Sequence, residues 1–424
     1  MKFNTISVIG LGYIGLPTAA TFASRGVRVI GVDVNQHAVD TINQGGIHII
    51  EPELDVAVRS VVQSGMLRAT TAPEPADAFI VAVPTPFKGD KQPDLQYIEA
   101  AAKAIAPVLR QGNLVILEST SPVGATEQMA AWLAQARPDL RFPQQAGEDA
   151  DVCIAHCPER VLPGKVMVEL IHNDRVIGGL TPKCSQAAVS LYQLFVQGEC
   201  VVTNARTAEM CKLTENSFRD VNIAFANELS IICDKLDINV WELIRLANRH
   251  PRVNILQPGP GVGGHCIAVD PWFIVSAAPE QAKLIVASRM VNDEKPYWIL
   301  NKIKKTVNEY LSRHQGKSAE HVRIACYGLT FKPDIDDLRE SPALEIVRMI
   351  RKSHAGDLLI VEPNIEHLPE SMRDEKTVLL DIDSAMEMAH IHVMLVDHHL
   401  FRFKENIDLD RRYLIDAKGI WNVR

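Results

Sequence analysis

Cys266 and a glycine-rich loop near the N-terminus are the residues whose types and spacing could do chemistry. Cys266 closes the run GVGGHC, in which repeated glycines cost chain entropy unless the backbone must approach something closely. Asp270 and Pro271 follow, which predicts that a helix or turn begins just after the thiol. Amides at such a start would stabilise a thiolate, the nucleophilic form of the side chain. The alternative is an inert, buried cysteine.

The sequence GLGYIG at residues 10–15 has the spacing of a dinucleotide-binding loop, with a strand-like run before it and a helical pattern after it. Gly10 would permit the tight turn, Gly12 would let the backbone approach a pyrophosphate, and Gly15 would allow close helix packing. Asp33 ends the next strand-like run, where a carboxylate accepts both ribose hydroxyls and repels a 2′-phosphate. The pattern predicts a site for NAD rather than NADP.

Lys212 and Asn216 lie four residues apart on a long helical pattern, so both side chains project from one face. An ammonium and an amide placed together could hold an alkoxide or a water beside a nicotinamide. An exposed lysine on an amphipathic helix is the alternative. Glu118 and Glu159 each follow a strand-like run, at the strand ends where doubly wound sheets bind ligands. A helix cap for Glu118 and a surface ion pair for Glu159 are the alternatives.

Basic side chains cluster in the second half of the chain. Lys332 and Arg339 follow the first strand-like run of the later domain, and His250 and Arg252 flank Pro251. Cations in such positions suit a diphosphate or a cofactor that reaches across a cleft. The histidines show no HExxH or comparable spacing, so no catalytic metal is expected.

Strand-like runs alternate with helical patterns at both ends of the chain, which predicts an α/β fold with two doubly wound, Rossmann-like domains. Between them, long helices are predicted from Thr203 to Leu236 and from Gln281 to Arg313. The predicted division is an NAD-binding domain over 1–202, a central helical region over 203–314 and a C-terminal domain over 315–424. The strand-like runs are Ile6–Ile9, Val27–Val32, Phe79–Val83, Leu114–Leu117, Val152–Ala155, Val322–Tyr327, Leu358–Val361, Val378–Leu380, Val393–Val396 and Tyr413–Ile415.

Length and composition limit the classes of protein to consider. A chain of 424 residues is too long for one core. Its formal net charge of -8 argues against nucleic acid as a partner. Eight scattered cysteines favour reduced thiols in a cytoplasmic protein over a disulfide scaffold. Every long apolar run is interrupted by glycine or proline, so no membrane span is expected.

The ordered motifs GLGYIG, VPTP, EST, CPER, KLTENSFRD, GGHC, FKPDIDDLRES and DAKG resemble those of the nucleotide-sugar 6-dehydrogenases, the UDP-glucose and GDP-mannose dehydrogenase superfamily. The likeness covers almost the entire chain. It implies two successive hydride transfers to two NAD molecules, which convert a C6 alcohol into a carboxylate, and a homodimer that pairs through the central helices. Val269 stands where UDP-glucose dehydrogenases usually have lysine, which favours the subgroup for N-acetylated sugars.

The resemblance also implies roles for individual residues. Cys266 would attack the intermediate aldehyde, and Lys212, assisted by Asn216, would be the acid/base or oxyanion group. Asp270 and Glu159 would lie near the hydrolytic water. Besides the three loop glycines, the expected NAD contacts are Tyr13, Ile14, Asp33, Thr85, Thr126 and Arg339. The expected contacts to the UDP-sugar substrate are Arg160, Val161, Lys212, Asn216, Arg219, His250, Arg252, Gly263, Phe331, Lys332 and Lys418.

The leading hypothesis for the reaction is the four-electron oxidation of UDP-N-acetyl-D-mannosamine to its uronate, through a thiohemiacetal and a thioester on Cys266. The product would feed a surface polysaccharide such as enterobacterial common antigen. UDP-N-acetylglucosamine and UDP-glucose are rival substrates. A two-electron dehydrogenase of the β-hydroxyacid type, which shares the Rossmann domain and a Lys-xxx-Asn helix, is a second hypothesis. A non-catalytic NAD sensor or scaffold is a third.

Overall fold

The protein is described by a computed structural model that covers residues 2–162, 164–264, 266–402 and 413–421. It divides into two compact units. The first unit comprises Met1–Glu215 and Trp272–Pro279, and the second comprises Asn216–Pro271 and Glu280–Arg424. Each unit is built around one main β-sheet, in which most neighbouring strands are parallel, with helices packed against it.

The sheet of the first unit has eight strands in the order β10-β9-β8-β7-β4-β1-β2-β3, and β5 pairs with β6 in a separate hairpin. Neighbouring strands are parallel except for β8 and β9, which are antiparallel. The strands are β1 (Thr5–Ile9), β2 (Arg28–Val32), β3 (Leu67–Thr70), β4 (Ala78–Val81), β5 (Phe87–Lys88), β6 (Gln92–Pro93), β7 (Leu114–Leu117), β8 (Cys153–His156), β9 (Arg175–Gly179) and β10 (Cys200–Asn204). The helices are α1 (Gly15–Ser24), α2 (Gln36–Asn43), α3 (Leu54–Gln63), α4 (Gln96–Ile105), α5 (Ala125–Ala136), α6 (Pro143–Ala146), α7 (Val166–His172) and α8 (Pro182–Tyr192).

Both faces of this sheet are covered, because its central strands are mostly apolar and carry buried side chains on both sides. Ile6 and Val8 point into the apolar core on one face, whereas Phe79 and Val81 point into the core on the other. Burial of each such side chain stabilises the folded state by about 1.5–3 kcal/mol relative to leaving it exposed. Near-continuous runs of this kind are typical of strands buried between two layers of helices.

The second unit has a five-stranded parallel sheet in the order β13-β12-β11-β14-β15 within the described ranges. Its strands are β11 (Ile324–Tyr327), β12 (Leu358–Val361), β13 (Thr377–Leu379), β14 (Ile391–Met394) and β15 (Leu414–Asp416). The remaining helices of the chain are α9 (Ala205–Lys235), α10 (Val240–Ala247), α11 (Asp270–Ala277), α12 (Lys283–Arg313), α13 (Pro342–Ser353), α14 (Ile382–Met388) and α15 (His399–Arg402). Buried polar contacts join α9 to α12: Arg289 Nη1 lies 2.6 Å from Asp220 Oδ1, and Asn227 donates to Asn292 over 2.9 Å.

The structure confirms the predicted α/β class and the two long central helices. The first sheet departs from the wholly parallel pairing of a simple doubly wound domain at one place, where β9 runs antiparallel to β8. Strands β3, β5, β6, β9 and β10 were not predicted. Leu67–Thr70 alternates polar and apolar residues over one short run, β5 and β6 have only two residues each, and Cys200–Asn204 is largely solvent-facing. No helix in the described part of the chain is both long and apolar enough to cross a lipid bilayer.

Candidate active site

The glycine loop joins β1 to α1 at the carboxyl edge of the first sheet. A Cβ on Gly10, whose φ is +91°, would lie 2.5 Å from the carbonyl oxygen of Ala82, and one on Gly15 would lie 1.8 Å from the Gly10 carbonyl oxygen. A Cβ on Gly12 would meet no atom within 4 Å. Ile14, at the N-cap of α1, provides no side-chain cap, so the first amides of the helix can meet a phosphate. The loop therefore fits a pyrophosphate.

Asp33 is held at the end of β2 by two backbone amides. Its Oδ2 accepts a hydrogen bond from Leu11 N over 2.9 Å, and its Oδ1 accepts one from Asn35 N over 2.9 Å. Each oxygen keeps further lone pairs for ribose hydroxyls. Thr85 supplies a second sign of a ligand, because its Oγ1 is buried and has no hydrogen-bond partner among the described residues. The residues present thus fit NAD.

Thr126 was expected to contact NAD, but its hydroxyl is fully buried and donates to Glu209 Oε1 over 2.6 Å. Glu209 also accepts from the amides of Gly124 and Thr126, over 2.6 and 2.8 Å. This carboxylate therefore ties the first turn of α5 to helix α9, one turn before Lys212. Glu209 was not predicted as a site residue, although it lies on the same helix three residues before Lys212.

Glu159 lies in a buried charge cluster of the first unit. Its Oε2 is 2.9 Å from Arg175 Nη1, and Arg175 also lies 3.8 Å from Glu118 Oε1. Glu118 further accepts hydrogen bonds from Tyr192 and Thr18, over 2.9 and 3.3 Å. Burial, with the neighbouring Glu159 charge, raises the pKa of Glu118 to about 7. Glu159 is only 6% exposed, so the alternative of a surface ion pair is wrong for this residue. Its contacts favour a role in positioning Arg160 over direct contact with the hydrolytic water.

Arg160 continues from this cluster toward α9. Its amide donates to Glu159 Oε1 over 2.6 Å, and its guanidinium lies 2.7 Å from Glu215 Oε1. The neighbouring Val161 packs against the apolar core of the first unit. Tyr13 stands at the glycine loop with 38% of its surface exposed. The first unit therefore brings the start of the CPER segment to the face of α9 that carries Lys212.

The second unit joins Asn216, Asp270 and Cys266. Asn216 Nδ2 donates to Asp270 Oδ2 over 2.5 Å, and the Asp270 amide donates to the Cys266 carbonyl over 2.9 Å. Lys212 precedes Asn216 by one turn of the continuous helix α9. Cys266 is exposed, whereas the other cysteines are buried or half-buried. An inert, buried thiol is therefore ruled out for this residue.

The segment before Cys266 needs its glycines because other backbone comes very close. A Cβ on Gly263 would lie 2.4 Å from the Glu340 carbonyl oxygen, and one on Gly264 would lie 2.9 Å from the ring of Phe331. Asn227 Oδ1 accepts from the Gly259 amide over 2.9 Å. The second unit thus brings the predicted substrate residues Gly263 and Phe331 together at the cysteine loop.

The other predicted contacts of the second unit are basic side chains near this loop or on the surface. Lys418 Nζ lies 3.1 Å from Asp397 and 3.7 Å from the position of a Cβ on Gly259. Arg339 pairs with Asp337 at 2.7 Å, and its side chain is half-exposed. The residues that remain exposed or half-buried are Arg219, His250, Arg252 and Lys332. Among the described residues, no group of three or more His, Cys, Asp or Glu side chains is arranged so that it could bind a metal ion.

A dinucleotide-binding loop together with an exposed thiol, an amide and a carboxylate defines an NAD-dependent dehydrogenase that can use a covalent intermediate. Comparison with known families gives the class more narrowly. The chain belongs to the UDP-glucose/GDP-mannose dehydrogenase family, whose NAD binding domain matches residues 4–196, central domain residues 206–294 and UDP binding domain residues 325–423. It is an oxidoreductase that uses NAD.

Individual relatives cover the full chain. UDP-N-acetyl-D-mannosamine dehydrogenase of Yersinia pestis is 66% identical over 421 residues, which are 99% of this chain and 100% of that one. NDP-N-acetyl-D-galactosaminuronic acid dehydrogenase of Ralstonia solanacearum is 64% identical over 424 residues, 100% of this chain and 98% of that one. The solved structure of a UDP-D-ManNAc dehydrogenase from Pyrococcus horikoshii superposes with a TM-score of 0.85 at 39% identity, covering 98% of this chain and 96% of that one.

Proposed function

We propose that this chain oxidises UDP-N-acetyl-D-mannosamine at C6 to the uronate, with two NAD consumed for each sugar. The observation that carries the proposal is the exposed Cys266, joined through Asp270 to the amide of Asn216, in a unit that contains the UDP-binding region. The full-length likeness to UDP-N-acetyl-D-mannosamine dehydrogenases favours this substrate over UDP-N-acetylglucosamine and UDP-glucose.

The proposed steps divide the work among a few side chains. Bound NAD accepts one hydride in each of the two oxidations. Lys212 and Asn216 hold the C6 oxygen and its proton during the first oxidation, which leaves an aldehyde. The Cys266 thiolate then forms a C–S bond to the aldehyde carbon, and the oxygen takes up a proton to give a thiohemiacetal. After the second oxidation the C–S bond belongs to a thioester, and water replaces sulfur, releasing the carboxylate and the thiol.

The other predicted residues are proposed to hold the two ligands. Gly10, Gly12, Gly15, Asp33 and Thr85 would bind NAD, supported by the open space at Gly12 and the unpaired Thr85 hydroxyl. Glu159 would position Arg160, while Asp270 would orient water near the thioester. The remaining proposed contacts are Tyr13, Ile14 and Arg339 for NAD, and Arg160, Val161, Arg219, His250, Arg252, Gly263, Phe331, Lys332 and Lys418 for the nucleotide sugar.

We further propose a cytoplasmic homodimer with an NAD-binding domain over 1–202, a central region over 203–314 and a C-terminal domain over 315–424. The family-model boundaries support this division. Phe218, Phe225 and Ile232 recur every seven residues on α9 and are 67%, 52% and 43% exposed, which supports pairing through this helix. The eight cysteines are scattered along the chain, and this supports a reducing compartment.

A substrate panel with a matched pair of cysteine variants tests the proposal. UDP-N-acetyl-D-mannosamine, its C2 epimer, UDP-N-acetylgalactosamine and UDP-glucose are each incubated with NAD, and the products are identified by mass. We expect the mannosamine uronate to form fastest. Cys266→Ser should lose uronate formation by on the order of 10³-fold, because a hydroxyl is a far weaker nucleophile, while the control Cys211→Ser should retain it. Full uronate formation by Cys266→Ser would contradict the covalent route.

A further inference from the structure

Glu362 and His398 form a buried pair at the carboxyl edge of the second sheet. Glu362 follows β12 and His398 lies beyond β14, and they are 3% and 0% exposed. His398 Nε2 lies 3.0 Å from Glu362 Oε2. Neither residue takes part in the reaction proposed above. Buried ionisable groups at the ligand edge of a doubly wound sheet need a reason to be there.

Both side chains bind the backbone of one segment, residues 329–334. Glu362 Oε2 accepts from the amides of Leu329 and Thr330, over 2.7 and 3.2 Å. His398 Nδ1 accepts from the Asp334 amide over 3.0 Å. Because Nδ1 is an acceptor, the proton of the neutral ring is on Nε2, where it is donated to Glu362. Asp334 has a left-handed φ of +61°, so the segment is fixed at both ends against local strain.

The segment held in this way carries Phe331 and Lys332, two of the proposed contacts to the nucleotide sugar. The Thr330 hydroxyl donates to the Lys332 carbonyl over 2.8 Å, which fixes the turn between them. The Phe331 ring lies against Gly264, two residues before Cys266. A shift of the segment would therefore move a ligand contact and the support of the cysteine loop together.

We propose that Glu362 and His398 are positioning residues for the nucleotide sugar. They hold segment 329–334 in the conformation that presents Phe331 and Lys332 to the UDP moiety and that supports the Gly263–Gly264 turn. The inference rests on the proposed function, since it assigns the pair to the same substrate site. It predicts effects on UDP affinity and on the KM of the sugar nucleotide, with the KM of NAD unchanged.

The experiment compares full-length variants by calorimetric titration with UDP, steady-state kinetics and thermal melting. Glu362→Gln removes the charge that the amides bind, and His398→Asn keeps an acceptor for Asp334 but loses the donor to Glu362. Each should weaken UDP binding about tenfold or more, and His398→Gln, which keeps the donor but loses the acceptor, should fall in the same range. His354→Asn is the control, because it likewise removes a buried donor, the one that His354 Nε2 gives to the Val322 carbonyl before β11. It should lower Tm without altering UDP affinity.

Variants that melt near the wild-type temperature and bind UDP with wild-type affinity would overturn the inference. If the Glu362 and His398 variants do not fold, Thr330→Val, which removes the hydroxyl bond to Lys332, decides the matter. Its unchanged UDP affinity would equally overturn the inference, and a loss of affinity would support it. A wild-type protein that binds UDP but yields no uronate would contradict the proposed function. The UDP affinities of the variants would still test whether Glu362 and His398 position the UDP site.

Discussion

Glu118 in the first unit and Glu362 in the second are both buried carboxyl groups that directly follow a β-strand, yet their pKa values shift in opposite directions. At Glu118, burial together with the negative Glu159 raises the pKa to about 7. At Glu362, burial opposes the charge, but the hydrogen bond from His398 and the backbone amides outweigh it and lower the pKa. Burial alone therefore does not decide the charge state; the neighbouring charges and the donors that face the carboxylate decide it.

The two ligand edges are built by different means. In the first unit, glycines leave open the backbone that is proposed to meet the cofactor, and two carboxylates share one guanidinium of Arg175. In the second unit, one carboxylate and one imidazole hold the backbone of the loop that is proposed to contact the nucleotide sugar. The first edge depends on open space at Gly12 and on Arg175, whereas the second depends on close packing at Gly263.

Arg175→Met should have the largest effect on stability. The change leaves Glu118 and Glu159 buried with their shared cation removed, so the free energy of unfolding should fall by about 3–5 kcal/mol. Chemical denaturation measures it. Arg68→Met is the control, because Arg68 pairs with Glu74 at 2.5 Å on the surface, and its loss should cost less than about 1 kcal/mol. Equal losses for the two variants would contradict the assigned importance of the buried cluster.

Gly12→Ala should weaken NAD binding by about 2 kcal/mol, roughly 30-fold. Its methyl group meets no protein atom, so the fold should survive, but it would occupy space where the backbone approaches the pyrophosphate. Titration with NAD, followed by calorimetric titration with UDP, separates the two edges. UDP affinity should be unchanged. Wild-type NAD affinity in this variant would place the cofactor elsewhere.

Gly263→Ala should have the opposite effect from Gly12→Ala, because it should impair use of the sugar nucleotide and leave NAD binding intact. Its Cβ would lie 2.4 Å from the Glu340 carbonyl oxygen and 2.6 Å from Pro342 Cδ, so the cysteine loop or the facing backbone must shift. We expect kcat/KM for the sugar nucleotide to fall about tenfold, or 1.4 kcal/mol, with NAD affinity retained. Steady-state kinetics with each substrate varied in turn measures this. A loss confined to the KM of NAD would reverse the assignment of the two edges.

Glu118→Gln should have the smallest effect, visible as a change in pH dependence. The native Glu118 carboxyl keeps its proton up to about pH 7, while the unfolded one releases it near pH 4.5. The folded state therefore binds more protons in that window, and wild-type stability falls as the pH rises through it. Glutamine removes this loss and leaves Arg175 paired with Glu159. Relative to wild type, the variant should gain about 1 kcal/mol or more between pH 5 and pH 8; a constant difference would contradict the raised pKa.

The sequence predicted the parts of the site that lie close together in the chain. The glycine loop falls within residues 10–15, and Cys266 lies four residues before Asp270, where helix α11 begins, so the local pattern was enough to single out the loop and the thiol. The role of Asp270 came from the family resemblance and stays a prediction. The apolar runs likewise predicted the inner strands of both sheets, because strands buried on both faces are mostly apolar.

The parts that it missed depend on tertiary contacts. Glu362 and His398 are separated by 36 residues and meet only because β12 and β14 flank β11. The antiparallel direction of β9 cannot be read from the pattern of apolar residues, because that pattern is the same for both directions. The direction depends on the path of the chain through α7, which connects β8 to β9. Thr126 was assigned to the cofactor, but the sequence could not reveal that Glu209 takes its hydroxyl.

The central claim is that a sulfur atom retains the half-oxidised sugar until a second oxidation is complete. Counting NADH against sugar consumed, with UDP-N-acetyl-D-mannosamine limiting and an aldehyde-trapping hydrazine present, tests it most directly. The account predicts two NADH per sugar, uronate as the product and no trapped aldehyde. One NADH per sugar with stoichiometric trapped aldehyde would contradict it.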